Sequence, residues 1–448
     1  MTSPLSGVGQ LIPTILNADR AITRWGAGLL SRFVERVIAI EDAVKLMALK
    51  SRIELEEVEV GIDSAHGLVS SRRVEAPYDM PPYNRSAVDG YAVRAEDTYG
   101  ASPTNPVELV VIGSIDASTP PSRVPTLRPG EAVEVATGAP IPRGANAVVM
   151  HEDVIEMGGK ILVQRSVPAW GNVSRAGEDF RKGDTVVERG TVLMPWHIAV
   201  LAAFGFQRVA VFRRLRVCVL ATGSEVQEPR EPKPPTHGVY NSTVRIVLGA
   251  LSPHRFLEPR YLGLVPDEPE AMRKQLIRGV REGCDILITT GGTGVSAGDV
   301  VPRVVSEIGE LVVRGLAMRP GRPTSGGVIE GRPVFMLSGF PVAALVAMEV
   351  YVLPTIFKIL GAEPPPKPQV RARLTRRVAN VAGYRSFVRV RVSRCGDELC
   401  AEPLRLTGSG ILSTLIRGNG VLVVPEDVEG YEEGEEVEVL LLGPIYKG

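Results

Sequence analysis

Ile40, Val44 and Met47 recur at helical spacing, with Glu41 and Asp42 where the free N–H groups of a first turn favour negative charge. The spacing predicts a helix beginning near Ala39. Between Pro77 and Trp170 the period changes: the short β-rich runs VELVVIG, AVEVATG and NAVVM alternate with Pro/Gly turns, which predicts a compact β domain. GDTVVERGTVL continues in β character, and PWHIAVLAAFGF predicts a helix. The next unit alternates regularly. LRVCVLATGSE is a buried strand and loop, NSTVRIVLGALS a helix, RYLGLVP a strand, DEPEAMRKQLIRGVREG a helix, DILITTGG a strand and DVVPRVVSEIG a helix. PVAALVAMEVYVLPTIFKIL is a long closing helix. Strand–helix alternation implies right-handed crossovers and a doubly wound parallel sheet. After the Pro-rich linker GAEPPPKPQ, the runs QVRARLTRRV, SFVRVRVSR, LCAEPLRL, GVLVVPED and EEVEVLLLG predict a small C-terminal β-barrel.

The chain has 448 residues, enough for several independent cores. The expected fold class is multidomain α+β and α/β. Residues 1–35 form an N-terminal extension, and 36–78 with 171–212 an elongated domain I. Residues 79–170 form an inserted β-rich domain II, 213–364 a doubly wound domain III, and 365–448 the barrel, domain IV. The formal net charge is zero, so no global field draws the protein to nucleic acid or an anionic membrane, and any bound anion must meet a local cluster of donors. Arg far outnumbers Lys, a bias shared by thermophiles and by skewed base composition. Cys218, Cys284, Cys395 and Cys400 show no CxxC pair and His is dispersed, which argues against zinc. Buried, inert thiols of a reducing cytoplasm are the expectation, although Cys395 and Cys400 can face each other across a hairpin and form a disulfide. No stretch is expected to reach the ~20 apolar residues of a membrane span, and the start lacks the order of a signal peptide.

The glycine-rich stretch TTGGTGVSAGD follows a strand. In a doubly wound sheet, ligands sit beyond the carboxyl ends of the strands, where bare backbone N–H groups and the next helix's positive end can meet an anion. Gly291, Gly292, Gly294 and Gly298 would cradle a phosphate, with Thr293 and Ser296 adding hydroxyls. The spacing is neither the Walker pattern nor GxGxxG. A tight strand-to-helix turn with Asp299 as N-cap is the structural alternative. Asp267 opens DEPE, a capping box with Glu270, so it is first of all a helix cap. Yet Glu225, Asp267 and Asp299 all fall at one edge of the predicted sheet, where carboxylates can hold a hard cation. In RPGRP, Arg319 and Arg322 are stiffened by prolines and suit a tetrahedral oxyanion, or form a solvated basic turn.

PPYNRSAVDGYAVRAED, TGAPIPRGANAVVMHED, GEDFRKGD, LATGSEV, TTGGTGVSAGD, RPGRP and GFPVAA occur in order, and together they resemble the molybdopterin molybdenumtransferase family, the MoeA and gephyrin E-domain group. The resemblance runs from about Ile40 to the C-terminus. It implies four domains, one with the MogA fold, in an elongated homodimer, while the thiol and charge readings above give the expectation of a cytoplasmic protein with no nucleic-acid or membrane partner. It further implies magnesium-dependent cleavage of adenylylated molybdopterin, insertion of molybdate and release of AMP. By the matching motifs Asp89, Thr137, Asp179, Glu225, Asp267 and Asp299 are active-site residues, the first three contributed by the partner chain. Glu225, Asp267 and Asp299 are the magnesium candidates. GYRSFVR and TGSGILS match the family's barrel segments and make Arg385, Arg389 and Ser409 anion candidates. Two departures stand out. Arg319 and Arg322 replace the lysines of KPGKP, and Ser338, Phe340 and Ala343 alter LPGNPVS, which raises tungstate as an alternative oxyanion. A non-catalytic scaffold of the gephyrin kind and the preceding adenylylating enzyme are the competing readings. The complete acidic set weighs against the first, and the Asp89 region and barrel against the second.

Overall fold

The computed structural model describes residues 37–293, 300–404 and 410–447. Its centre is a six-stranded sheet formed by β1 (Leu215–Thr222), β2 (Leu257–Val265), β3 (Ile286–Thr290), β4 (Glu310–Arg314), β5 (Ser325–Ile329) and β6 (Arg332–Leu337), in the order β2-β1-β3-β6-β5-β4. The first four in that order run parallel. β5 pairs antiparallel with both β6 and β4, so the sheet is mixed, not purely parallel as the strand–helix alternation had predicted. The antiparallel edge has no signature in the sequence, because GGVI and PVFML are short apolar runs with no helix between them.

The alternating side chains of β1 separate two cores. Val217, Val219 and Ala221 face one, with helix α1 (Thr243–Leu251) and the long 341–360 helix. Cys218 and Leu220 face the other, beneath α2 (Pro269–Arg281) and α3 (Val300–Ile308). This period-2 division makes the run from Val217 to Ala221 continuously apolar, as a sheet covered on both sides demands. The helix predicted near Ala39 spans Ile40–Lys50, and its Ile40, Ala43 and Met47 lie in the first of these cores.

The closing helix contains Pro354, which lacks an N–H for the ladder, and a π-helical segment occupies Met348–Val352 just before it. At 20 residues the Pro341–Leu360 stretch is long and apolar enough to cross a bilayer, contrary to expectation. It is the core helix of this sheet, with 67% of its apolar window buried in the protein.

The inserted β domain is a six-stranded sheet built from Gly90–Val93, Val107–Ile115, Glu131–Val135, Ala147–Met150, Val154–Met157 and Lys160–Val163. At the C-terminus, Gln369–Leu374, Arg385–Cys395, Glu398–Pro403, Gly420–Val424 and Glu436–Leu441 close on themselves, because Arg385–Cys395 pairs with both Glu398–Pro403 and Gly420–Val424. This is the predicted barrel. All four cysteines are bonded, Cys218 to Cys284 and Cys395 to Cys400. The expectation of free buried thiols is thereby corrected. Cys218 lies on β1 and Cys284 two residues before the neighbouring strand β3, with Cα atoms 5.8 Å apart. No spacing rule could reveal that proximity across 66 residues.

Candidate active site

From β1 the chain crosses to β2 on one side, then returns to β3 on the other. The loops after β1 and β3 therefore part, and the crevice at this switch point is where a ligand can enter. Gly291 and Gly292 open the β3 loop with φ of +93° and +60°. A Cβ on Gly291 would lie 2.2 Å from the Thr222 carbonyl oxygen, and one on Gly292 would lie 2.9 Å from Thr222 Cγ2 and Val301 Cγ2. Bare backbone at these two positions is thus demanded first by the neighbouring strand and helix. Thr293 is buried, and its hydroxyl donates to the Leu337 carbonyl at 3.4 Å. Gly294, Ser296, Gly298 and Asp299 lie outside the described residues.

Asp267 does not cap α2, whose N-cap is Glu268 and carries no side-chain capping bond. The capping-box expectation fails because the chain enters α2 one residue later, at Pro269. The Asp267 carboxylate turns toward β1 and accepts from Thr222 Oγ1 at 2.7 Å and from the Ser224 N–H at 3.1 Å. A Cβ on Gly292 would stand 3.7 Å from Asp267 Oδ1. Glu225, in the same β1 loop, is exposed and folds back over Gly223, where an added Cβ would meet Oε2 at 3.0 Å. Two carboxylates and the first two glycines of the loop thus share one strand edge.

The loop holding Glu225 is braced by Glu228, which accepts from Asn241 Nδ2 at 2.8 Å, Arg245 at 2.7 Å and the Tyr261 hydroxyl. Burial pushes the Glu228 carboxyl up, but these three donors outweigh it and hold it below the ordinary value. Sequence reasoning missed Thr222, Ser224, Glu228, Asn241 and Tyr261. Their types carry no motif; Asn241 is brought to Glu228 by the short pairing of 226–227 with 239–240, and Tyr261 by the adjacency of β2 and β1. Thr222 and Ser224 flank the glycine of ATGSE, the one signal that pointed near them.

The remaining candidates fall into two further groups. Thr137 donates to Asp89 Oδ1 through its N–H at 2.6 Å and its Oγ1 at 3.0 Å. These bonds, the backbone one foremost, lower the Asp89 pKa. Asp179 is exposed, and its N–H donates to the Met80 carbonyl at 3.1 Å. Among the described residues no hydrogen bond or ion pair joins the inserted β domain, with Asp89 and Thr137, to the α/β domain within one chain.

Arg319 is exposed, and it pairs in register with Ser386 of the barrel strand Arg385–Cys395. Arg322 is half-buried with its guanidinium 5.6 Å from the Tyr384 ring. Arg385 is bound by Glu426, at 2.9 Å through both Nε and Nη2, and also by Glu41, so carboxylates already occupy its fork. Arg389 is buried and donates through Nε to Thr414 Oγ1 at 2.9 Å; burial lowers its pKa. Ser409 lies outside the described residues. Among the described residues no group of three His, Cys, Asp or Glu side chains forms a metal site.

Comparison with known proteins places this geometry in a family. Residues 38–205 match the MoeA N-terminal region (domain I and II), 218–358 the probable molybdopterin binding domain, and 371–442 the MoeA C-terminal region (domain IV). The molybdopterin molybdenumtransferase of Bacillus subtilis is 35% identical, over 85% of this chain and 88% of its own length. Molybdopterin molybdenumtransferase 1 of Mycobacterium tuberculosis is 32% identical, over 86% of this chain and 94% of its own. The crystal structure of the molybdopterin biosynthesis MoeA protein from Pyrococcus horikoshii superposes with a TM-score of 0.75 at 33% identity, covering 91% of this chain and all of that one. The chain belongs to the MoeA family and is a transferase of molybdenum cofactor biosynthesis, of the molybdopterin molybdenumtransferase type.

Proposed function

We propose that this chain inserts molybdate into adenylylated molybdopterin with magnesium and releases AMP. The observation that carries the reading is the convergence of Glu225, Asp267, Gly291 and Gly292 at the carboxyl edge of the sheet, at its switch point. Glu225 and Asp267 supply hard oxygen donors, which fit magnesium, and would hold it together with Asp299. The ion would neutralise the phosphoanhydride oxygens as that bond breaks. Thr222 and Ser224 orient the Asp267 carboxylate through their two hydrogen bonds and leave its other lone pairs for the ligand. The N–H groups of the 291–298 loop and the start of α3 would receive the phosphate.

Arg319 and Arg322 are the proposed oxyanion receivers, with Arg385, Arg389 and Ser409 secondary because Arg385 is already paired. We extend the proposal to the domain boundaries given above and to a homodimer. In that assembly Asp89, Thr137 and Asp179 of one protomer face the Glu225–Asp267 edge of its partner. Tungstate is the proposed competing substrate, on the strength of Arg319, Arg322, Ser338, Phe340 and Ala343.

The test is to incubate purified protein with adenylylated molybdopterin, magnesium and either oxyanion, and to measure AMP and bound metal. Asp267→Asn and Asp299→Asn are expected to abolish AMP release while near-UV circular dichroism is preserved. Undiminished release in both variants would end the assignment. Sedimentation as a monomer would remove the shared cleft.

A further inference from the structure

Phe340 follows the end of β6 by three residues and stands at the N-cap of the Pro341–Ala347 helix, in an extended conformation with no side-chain cap. This is a position where Ser, Thr, Asp or Asn would satisfy a free N–H, and where an apolar residue is disfavoured. The phenyl ring does not compensate by entering the core, for Phe340 is 57% exposed. Its backbone is nonetheless fixed. The Phe340 N–H donates to Ser338 Oγ at 3.2 Å, and its carbonyl accepts from the Ala344 N–H at 3.0 Å. One residue earlier, the Gly339 carbonyl accepts from the Thr243 hydroxyl. Local propensity and burial thus both disfavour an aromatic residue at a position whose backbone the surrounding hydrogen bonds fix. Such disagreement between levels is characteristic of functional positions.

The ring's location supplies the function. β6 neighbours β3, and a Cβ on Gly339 would lie 3.4 Å from Gly291 Cα, so Phe340 stands beside the glycine edge of the crevice. On the barrel side, a Cβ on Gly410 would meet the ring at Cδ1 and Cε1, 3.1 and 3.3 Å away. One edge of the ring therefore approaches the barrel's backbone at Gly410, while the residue as a whole stays more than half exposed. An aromatic surface beside Gly291 and Gly292 is suited to a flat nitrogen heterocycle, whose π-face stacks on the ring.

We propose that Phe340 is a specificity-determining residue on which the flat heterocycle of the substrate stacks. This rests on the function proposed above and deepens it. Pterin and adenine share the required chemistry, and the experiment separates them.

Binding of 6-hydroxymethylpterin and of AMP to the full chain is measured by fluorescence titration and calorimetry. Wild type is compared with Phe340→Leu, Phe340→Ala and Phe340→Trp. Loss of the aromatic face is expected to raise the Kd of the stacked ring by about 3–10-fold in Phe340→Leu and about 10–100-fold in Phe340→Ala, with Phe340→Trp restoring wild-type affinity. A change confined to the pterin arm assigns the surface to pterin, and one confined to AMP assigns it to adenine. Equal affinities in wild type and Phe340→Leu, with unaltered thermal unfolding, overturn the role of Phe340 alone. Absence of both ligands from the wild-type protein overturns the substrate class as well, and with it this proposal.

Discussion

Gly291→Ala tests the strand edge on which the site depends. The new methyl would sit 2.2 Å from the Thr222 carbonyl oxygen, against 3.4 Å or more for an ordinary contact. The Gly291 N–H is tied to the Leu337 carbonyl at 3.0 Å on the opposite side, so the residue cannot retreat without breaking that bond. Two costs combine. An alanine held at the φ of +93° found here costs about 1–2 kcal/mol, and forcing β1 and β3 apart by an ångström or so costs about 1–3 kcal/mol. At about 2–4 °C per kcal/mol for a domain of this size, the calorimetric transition of the α/β domain should fall by about 4–20 °C. The displaced residue is Thr222, the hydroxyl donor to Asp267. AMP release should therefore drop even at temperatures where circular dichroism shows the variant folded. A melting point within a degree of the parent, with full AMP release, would refute the close approach and the dependence of Asp267 on it.

Three further outcomes are expected. The folded pKa of Glu228 lies below its unfolded value, so its contribution to stability is complete above ordinary carboxylate titration and is lost as pH falls through the folded value. Melting temperature followed from about pH 6 to about pH 3 should decline less steeply in Glu228→Gln; identical slopes would contradict the network. Asp285 is buried and accepts two bonds from Arg213, at 2.7 and 2.8 Å, and a third from the Arg216 N–H at 2.8 Å. Asp285→Ala leaves that guanidinium without its main partner and should lower urea stability by about 3–5 kcal/mol, whereas a loss below about 1 kcal/mol would show the pair to be replaceable. Removing the Cys218–Cys284 bond by a double change to alanine should cost about 4 kcal/mol, from the entropy of a 66-residue loop and the lost packing under α2. Equal denaturation midpoints for that variant and the oxidised parent would disprove its role.

The site was legible where chemistry is local. Glycines after a strand, an acid after ATGS and arginines between prolines each advertise themselves in a few letters. Asp267 shows the limit of such reading. DEPE satisfies the spacing of a capping box, yet whether Asp267 or Glu268 occupies the N-cap depends on where β2 releases the chain. Arg385 teaches the same lesson with opposite sign. Its motif suggests an anion receiver, while Glu41 and Glu426, distant in sequence, already hold its guanidinium. The first two glycines of the β3 loop answer to Thr222 and Val301, partners invisible until β1, β3 and α3 are assembled.

The order of hydrophobic and polar residues alone determined the succession of elements: the helix over 40–50, the inserted β domain, the alternation of strands and helices, and the five barrel strands. Periodicity is a property of consecutive residues, so it survives without knowledge of the fold. Tertiary structure decided the rest: the antiparallel edge of β5 and β4, the pairing of Cys218 with Cys284, and the turn of Asp267 toward Thr222. Each requires segments far apart in the chain to approach within a few ångströms. That proximity is set by the order in which strands pack, and no pattern within a single segment encodes it.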